Sequence, residues 1–253
     1  MFRSLFSKRL LRASLFAAAG CLPLVGESAE IKGKFVLDGD APAATAVTDP
    51  KAASEFPGQT INYENLVVDP ASKGIANIAV YIRNDVAATP EAEAAVAAAP
   101  KVVIDNKNGR FEPHITGVWS GKQSVVFKNS DPVSHNSNFP FAGVNPLLTP
   151  NSEQEIPISG AKTLPQELSC SIHPWMKSYL VVRENPYTVV TDKEGNFSMK
   201  NLPTGVELEV QFWHEKAGYL AAKPEWEKGR LVVTLTGDMD LGEVKVSPEL
   251  FNK

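Results

Sequence analysis

From Lys101 onward, short runs rich in Val, Ile and aromatic side chains alternate with turn residues at intervals too short for helices. This rhythm constrains the fold more than any other feature of the chain. Candidate strands cover 101–105, 115–119, 124–129, 153–158, 166–170 and 179–183, with Gly109, Gly121, Asp131-Pro132 and Gly160 between them. Six short strands in so short a stretch predict a small sandwich or barrel. A further β segment follows Pro186, with strands over 187–191, 196–199, 207–213, 231–236 and 242–246. Asp192 to Gly195 reads there as a hairpin turn, and Leu202-Pro203-Thr204-Gly205 as another.

The first hundred residues are less regular. A weak strand over 31–37 ends at the turn Asp38-Gly39-Asp40; residues 39–60 are loop-like, and 66–68 and 75–82 read as strands. The one helix expected is 90–99, an Ala-rich, exposed connector. Thr89 can cap it, Pro90 suits its first position, and Glu91 and Glu93 favour its positive end. The 19 Pro and 17 Gly fit an all-β chain with many turns. The expected organisation is a signal peptide (1–29), an N-terminal β module (30–88), the connector (89–100), a central β-sandwich (101–184) and a C-terminal β-sandwich (185–253). Residues 30–88 either form a module related to the last or complete its sheet.

Arg3, Lys8, Arg9 and Arg12 precede an apolar stretch, 13–25, too short to span a bilayer, as in an export signal cleaved near Ala29. Ala18-Ala19-Gly20-Cys21 offers a competing lipoprotein reading, against which apolar residues continue past Cys21. No later segment is apolar enough for a membrane helix. Export implies a periplasmic or secreted protein, and cleavage leaves Cys170 as its only cysteine. A single thiol in an oxidising compartment forms no internal disulfide, leaving chain dimerisation, an inert core residue or a metal-bound thiolate. Residues 1–29 hold four of the 25 Lys and Arg and one of the 29 Asp and Glu, so the remainder has 21 against 28 and a formal charge of −7. That balance argues against nucleic acid and for a basic or amphipathic protein partner.

The surroundings of Cys170 are informative. Cys170-Ser171-Ile172-His173-Pro174-Trp175-Met176 places a thiolate, an imidazole and a thioether three residues apart, so one tight loop can turn all three toward one ion. Thiolate and thioether favour Cu(I), and imidazole accepts either oxidation state. His135, just after a β-rich run, supplies a second imidazole. Zinc is a poorer match, because its structural sites prefer more thiolates and do not use thioether sulfur. Buried Cys and Met as plain core filling is the alternative.

In order, Phe111-Glu112-Pro113, Gly121 to Asn129, His135-Asn136, Cys170, His173, Met176 and Val181-Val182 resemble a cupredoxin domain, over about residues 101–184. The short ligand loop is similar to those of the amicyanin- and plastocyanin-like members. The resemblance implies a Greek-key β-sandwich with one mononuclear type 1 (blue) copper at one end. His135, Cys170 and His173 are then equatorial ligands and Met176 the long axial one. It also implies that His173 faces solvent as the electron port, that a redox partner docks near His173 and Trp175, and that the Asn136 backbone N–H bonds the thiolate. Residues 186–250 resemble the carboxypeptidase regulatory-like (transthyretin-like) sandwich through the two turns quoted above, which implies a structural or binding unit.

The function expected is therefore single-electron transfer by an exported copper protein that is not an enzyme. Copper delivery or cell-surface binding without redox turnover is the alternative. His114 and His214 stand out as unusual in context; a second metal site built from them is weighed against ordinary hydrogen-bonded histidines.

Overall fold

The computed structural model describes residues 28–252. The chain is all-β, with two short helices and several 3₁₀ turns among the described residues. The expected signal segment lies outside the described residues except for Ser28 and Ala29, which begin the first strand. No helix of the described residues is long and apolar enough to cross a membrane.

Two facing sheets are built from strands between Lys101 and Arg183. One sheet runs Arg110–Glu112, Lys101–Lys107, Ser124–Asn129, Glu153–Pro157, with its two middle strands parallel. The other runs Gln166–Ser169, Lys177–Arg183, Ile115–Trp119, again with one parallel pair. Ile104, Phe111, Val125, Phe127, Leu168, Leu180 and Val182 fill the space between them. At roughly 1.5–3 kcal/mol for each large apolar side chain buried, this packing is a sufficient reason for the alternation seen in the sequence. Three strands here escaped the sequence pattern: Arg110–Glu112, and the pair His135–Asn136 and Leu147–Leu148. All are too short to show a period.

The flanking segments are not two modules. Ser28–Leu37 lies between Asn196–Pro203, to which it is antiparallel, and Met239–Val246, to which it is parallel. Ala79–Ile82 lies between Thr188–Val190 and Glu207–His214. Residues 30–88 thus complete both sheets of the 185–253 segment. A single core joins them, with Ile31, Phe35, Val80 and Ile82 packed against Phe197, Phe212 and Val244. The predicted hairpin turn sits against the first strand so closely that a Cβ on Gly195, at φ +84°, would lie 2.2 Å from the Phe35 carbonyl oxygen. A small core of Ala79, Tyr81, Ile115, Val181 and Trp213 joins the two sandwiches.

Helix α2, Pro90–Ala98, forms as expected, with the Thr89 hydroxyl accepting from the Ala92 N–H at 3.2 Å. Ala92 anchors it on the flanking core, while most of its other residues are exposed. Helix α1, Pro50–Glu55, lies where the sequence reads as loop. Asp49 caps it and Pro50 begins it, and Ala52 is buried with Phe56 and Ile61 against Val47, Val133 and Trp175.

Candidate metal centre

Cys170 follows the strand Gln166–Ser169, and the chain then turns back on itself. The Met176 N–H donates to the His173 carbonyl at 2.9 Å, and the Cys170 N–H to the Met176 carbonyl at 3.2 Å. Asn136 holds the loop from outside, its Oδ1 accepting from the Ser171 N–H (2.8 Å) and the Ile172 N–H (3.2 Å). Asn136 is in turn fixed by its pairing with Leu147, which also positions the adjacent His135.

These constraints bring together three of the four expected ligands. The Nδ1 atoms of His135 and His173 are 2.8 Å apart, and Cys170 Sγ lies 4.0 and 3.7 Å from them. Ligand bonds of about 2.0 Å to nitrogen and about 2.3 Å to sulfur permit N···S separations up to about 4.3 Å, so one ion can touch all three. Both histidines are 0% exposed and Cys170 is 2% exposed. Among the described residues, no other group of His, Cys, Asp and Glu meets the same closeness. Met176 is buried in the same core as Cys170.

The far side of each imidazole is bound to a carboxylate. His135 Nε2 is 3.0 Å from Asp131 Oδ2, and His173 Nε2 is 2.7 Å from Glu55 Oε2. An ionised carboxylate only accepts, so each Nε2 carries a hydrogen, and each ring in its neutral form keeps its Nδ1 lone pair. Two lone pairs and a sulfur then converge in a buried space, an arrangement that a cation satisfies and water-free protein does not. The donor set therefore fits a soft or borderline metal ion.

The electrostatics agree. Burial pushes the Cys170 thiol up, but His135, His173 and the backbone N–H groups of Asn136 and His173 outweigh it and bring it down to about 6. Between Cys170 and Asn136, the thiol donates to Asn136 Oδ1 at 3.4 Å. Burial likewise opposes charge on Asp131, yet the His135 hydrogen bond and the Gly109 and Asn108 N–H groups hold its carboxyl below the usual range. Burial works against the His135 imidazolium, and its Asp131 and Cys170 partners raise it overall.

One expectation needs correction. His173 does not face solvent: α1 and Phe56 lie across it, with Glu55 on its Nε2 and the Phe56 ring centroid 6.0 Å from its own. Trp175 is half-buried, its ring 5.0 Å from that of His173, and its indole N–H donates to the Gly109 carbonyl at 3.0 Å. At this end Pro174 is exposed and Trp175 half-buried, and the imidazole edge does not reach the surface.

His114 and His214 do not form a second metal cluster among the described residues. His114 Nε2 pairs with Glu215 Oε1 at 2.7 Å, and its Nδ1 faces Glu64 Oε2 at 3.6 Å, a charge contact beyond hydrogen-bond range. Burial disfavours the charged ring, but Glu215 and Glu64 outweigh it and lift His114 to about 9. His214 accepts from the Lys216 N–H at 3.2 Å, packs on Phe251, and is pushed down to about 4 by burial.

Asp131, Glu55 and Phe56 were missed in the sequence. Asp131 had a signal, four residues before His135 next to a turn; Glu55 and Phe56 had none, being far from the ligand loop along the chain.

No family model and no curated protein matches the chain. Among solved structures, it is similar to a Cu-containing nitrite reductase (NirK) from Thermus scotoductus SA-01, with 22% identity, a TM-score of 0.29, and 33% of this chain and 22% of that one covered. It is also similar to a methionine mutant of amicyanin in the Cu(I) state, at 22% identity and TM-score 0.30, over 41% of this chain and 98% of that one. A reduced amicyanin with a tryptophan replaced gives 23% identity over the same shares. The chain thus spans about a fifth of the nitrite reductase and nearly all of the amicyanins.

Proposed function

We propose that this chain is an exported type 1 copper protein of cupredoxin kind that passes single electrons. The observation that carries this reading is the pair of imidazole Nδ1 atoms, their tautomers fixed by Asp131 and Glu55, aimed at one buried thiolate. His135, Cys170 and His173 would be the strong ligands and Met176 the weak axial one. Copper would supply a one-electron couple between Cu(II) and Cu(I).

The chain's own residues supply the rest. The Asn136 clamp and the His173–Met176 turn hold the loop in one shape, which limits rearrangement when charge changes. The core around Cys170 excludes water. Trp175, in ring contact with His173 and half-exposed, connects the buried site with the surface, so a redox partner would dock over Pro174 and Trp175. The acidic balance of the chain suits a basic partner.

Copper delivery is the second reading, and burial speaks against it. A protein that hands over its ion needs ligands within reach of an acceptor, whereas these imidazoles have no exposed surface. Catalysis is a third, and a complete Cys–His–Met set would leave no open position for substrate. A reductive titration of the copper-loaded protein tests the proposal. An intense thiolate-to-copper visible band should bleach with one electron per chain and return on oxidation. Rapid surrender of copper to an apo acceptor, with no reversible bleaching, would favour delivery.

A further inference from the structure

Glu55 and Phe56 lie more than a hundred residues before the ligand loop, in a segment outside the central sandwich, yet between them they contact both imidazoles. Phe56 stacks on His135 at 6.3 Å and meets His173 edge-on at 6.0 Å. Glu55 bonds His173 Nε2 at 2.7 Å while its own side chain stays 29% exposed. The segment is held there by independent contacts. Lys51 Nζ donates to the Ile172 carbonyl at 3.1 Å, within the ligand loop itself. Ile61 packs over Gly109, where a Cβ would meet Ile61 Cδ1 at 2.5 Å and the backbone sits at φ +67°. Contacts from four residues of one short segment describe a built cover.

We infer that this segment is an outer shell of the metal centre, in which Glu55 is a positioning residue that tunes the ion through His173 and Phe56 shields both rings from water. The inference rests on the copper reading above. A carboxylate on the far nitrogen of a ligand imidazole fixes the ring and makes it a stronger donor. A stronger donor favours Cu(II) over Cu(I), so Glu55 lowers the reduction potential of the couple Cu(II) + e⁻ ⇌ Cu(I), with no proton leaving the carboxylate. Asp131 acts in the same sense on His135, so the two neutral ligands carry matched carboxylates, one from the sandwich and one from the cover.

The test uses full-length copper-loaded protein at one fixed pH. Glu55→Gln keeps a hydrogen-bond acceptor and removes the charge. It should keep the visible band and raise the potential by about 59 mV or more, the equivalent of a tenfold shift toward Cu(I). Glu55→Asp should recover part of that shift. In the diamagnetic Cu(I) form, the wild-type His173 Nε2–H should give a slowly exchanging imidazole proton by ¹H–¹⁵N NMR, lost to exchange in Glu55→Ala. A coloured Glu55→Gln variant with an unchanged potential overturns the inference and leaves the copper reading standing. So does an Nε2–H that exchanges as fast in the wild type as in Glu55→Ala. A colourless wild type overturns both.

Discussion

His114 joins three parts of the chain: the central sandwich that carries it, the Glu64 loop before that sandwich, and Glu215 at the end of the strand Glu207–His214. Its side chain is 5% exposed, and the groups facing it are Glu64, Glu215, Tyr179 and, more distantly, His214. In the folded protein the imidazole is lifted from 6.5 to about 9. The charged ring therefore adds stability that is fully present below pH 6.5, declines between 6.5 and 9, and is gone above 9. At about 1.36 kcal/mol per tenfold change in proton affinity, the contribution is about 3 kcal/mol. Chemical denaturation of wild type and His114→Gln, in the same metal state from pH 5.5 to 9.5, isolates it. Titrations of groups away from His114 are common to both proteins. The stability advantage of the wild type should shrink by about 3 kcal/mol across the series. A difference independent of pH would refute the claim that His114 is held as a cation between Glu64 and Glu215.

Two other changes probe the site and the fold. Asp131 accepts from the Asn108 N–H at 2.6 Å, the Gly109 N–H at 3.0 Å and His135. Asp131→Asn should weaken copper affinity about 10- to 100-fold, measured by competition with a chelator, and an unchanged affinity would count against its orienting role. Because Ser28–Leu37 and Ala79–Ile82 each lie inside a sheet of the flanking sandwich, residues 185–253 expressed alone should show no cooperative thermal transition by circular dichroism. A sharp transition would mean that this segment folds without its N-terminal strands.

What the sequence disclosed follows from the range of each signal. The strands of the central sandwich were legible because residues such as Val125, Val126 and Phe127 declare burial in consecutive positions. The ligand loop was legible because Cys170, His173 and Met176 lie within seven residues, and His135 stands at the end of a β-rich run. The sharing of sheets by residues 30–88 and 185–253 was left open, since either pairing satisfies the same local alternation. The cover over His173 was invisible: α1 is six residues long with one buried position, and its place depends on Phe56 and Ile61 reaching Gly109 and Trp175. The solvent-facing His173 expected from resemblance failed for that reason.

The central claim is that His135, Cys170 and His173 bind one copper ion through a thiolate bond. The visible absorption spectrum of the protein loaded with one equivalent of Cu(II), beside Cys170→Ala and His114→Ala, tests it most directly. The wild type should show an intense thiolate-to-copper band, lost in Cys170→Ala and kept in His114→Ala. A colourless Cu(II) complex, or a band that survives the loss of Cys170, would contradict it.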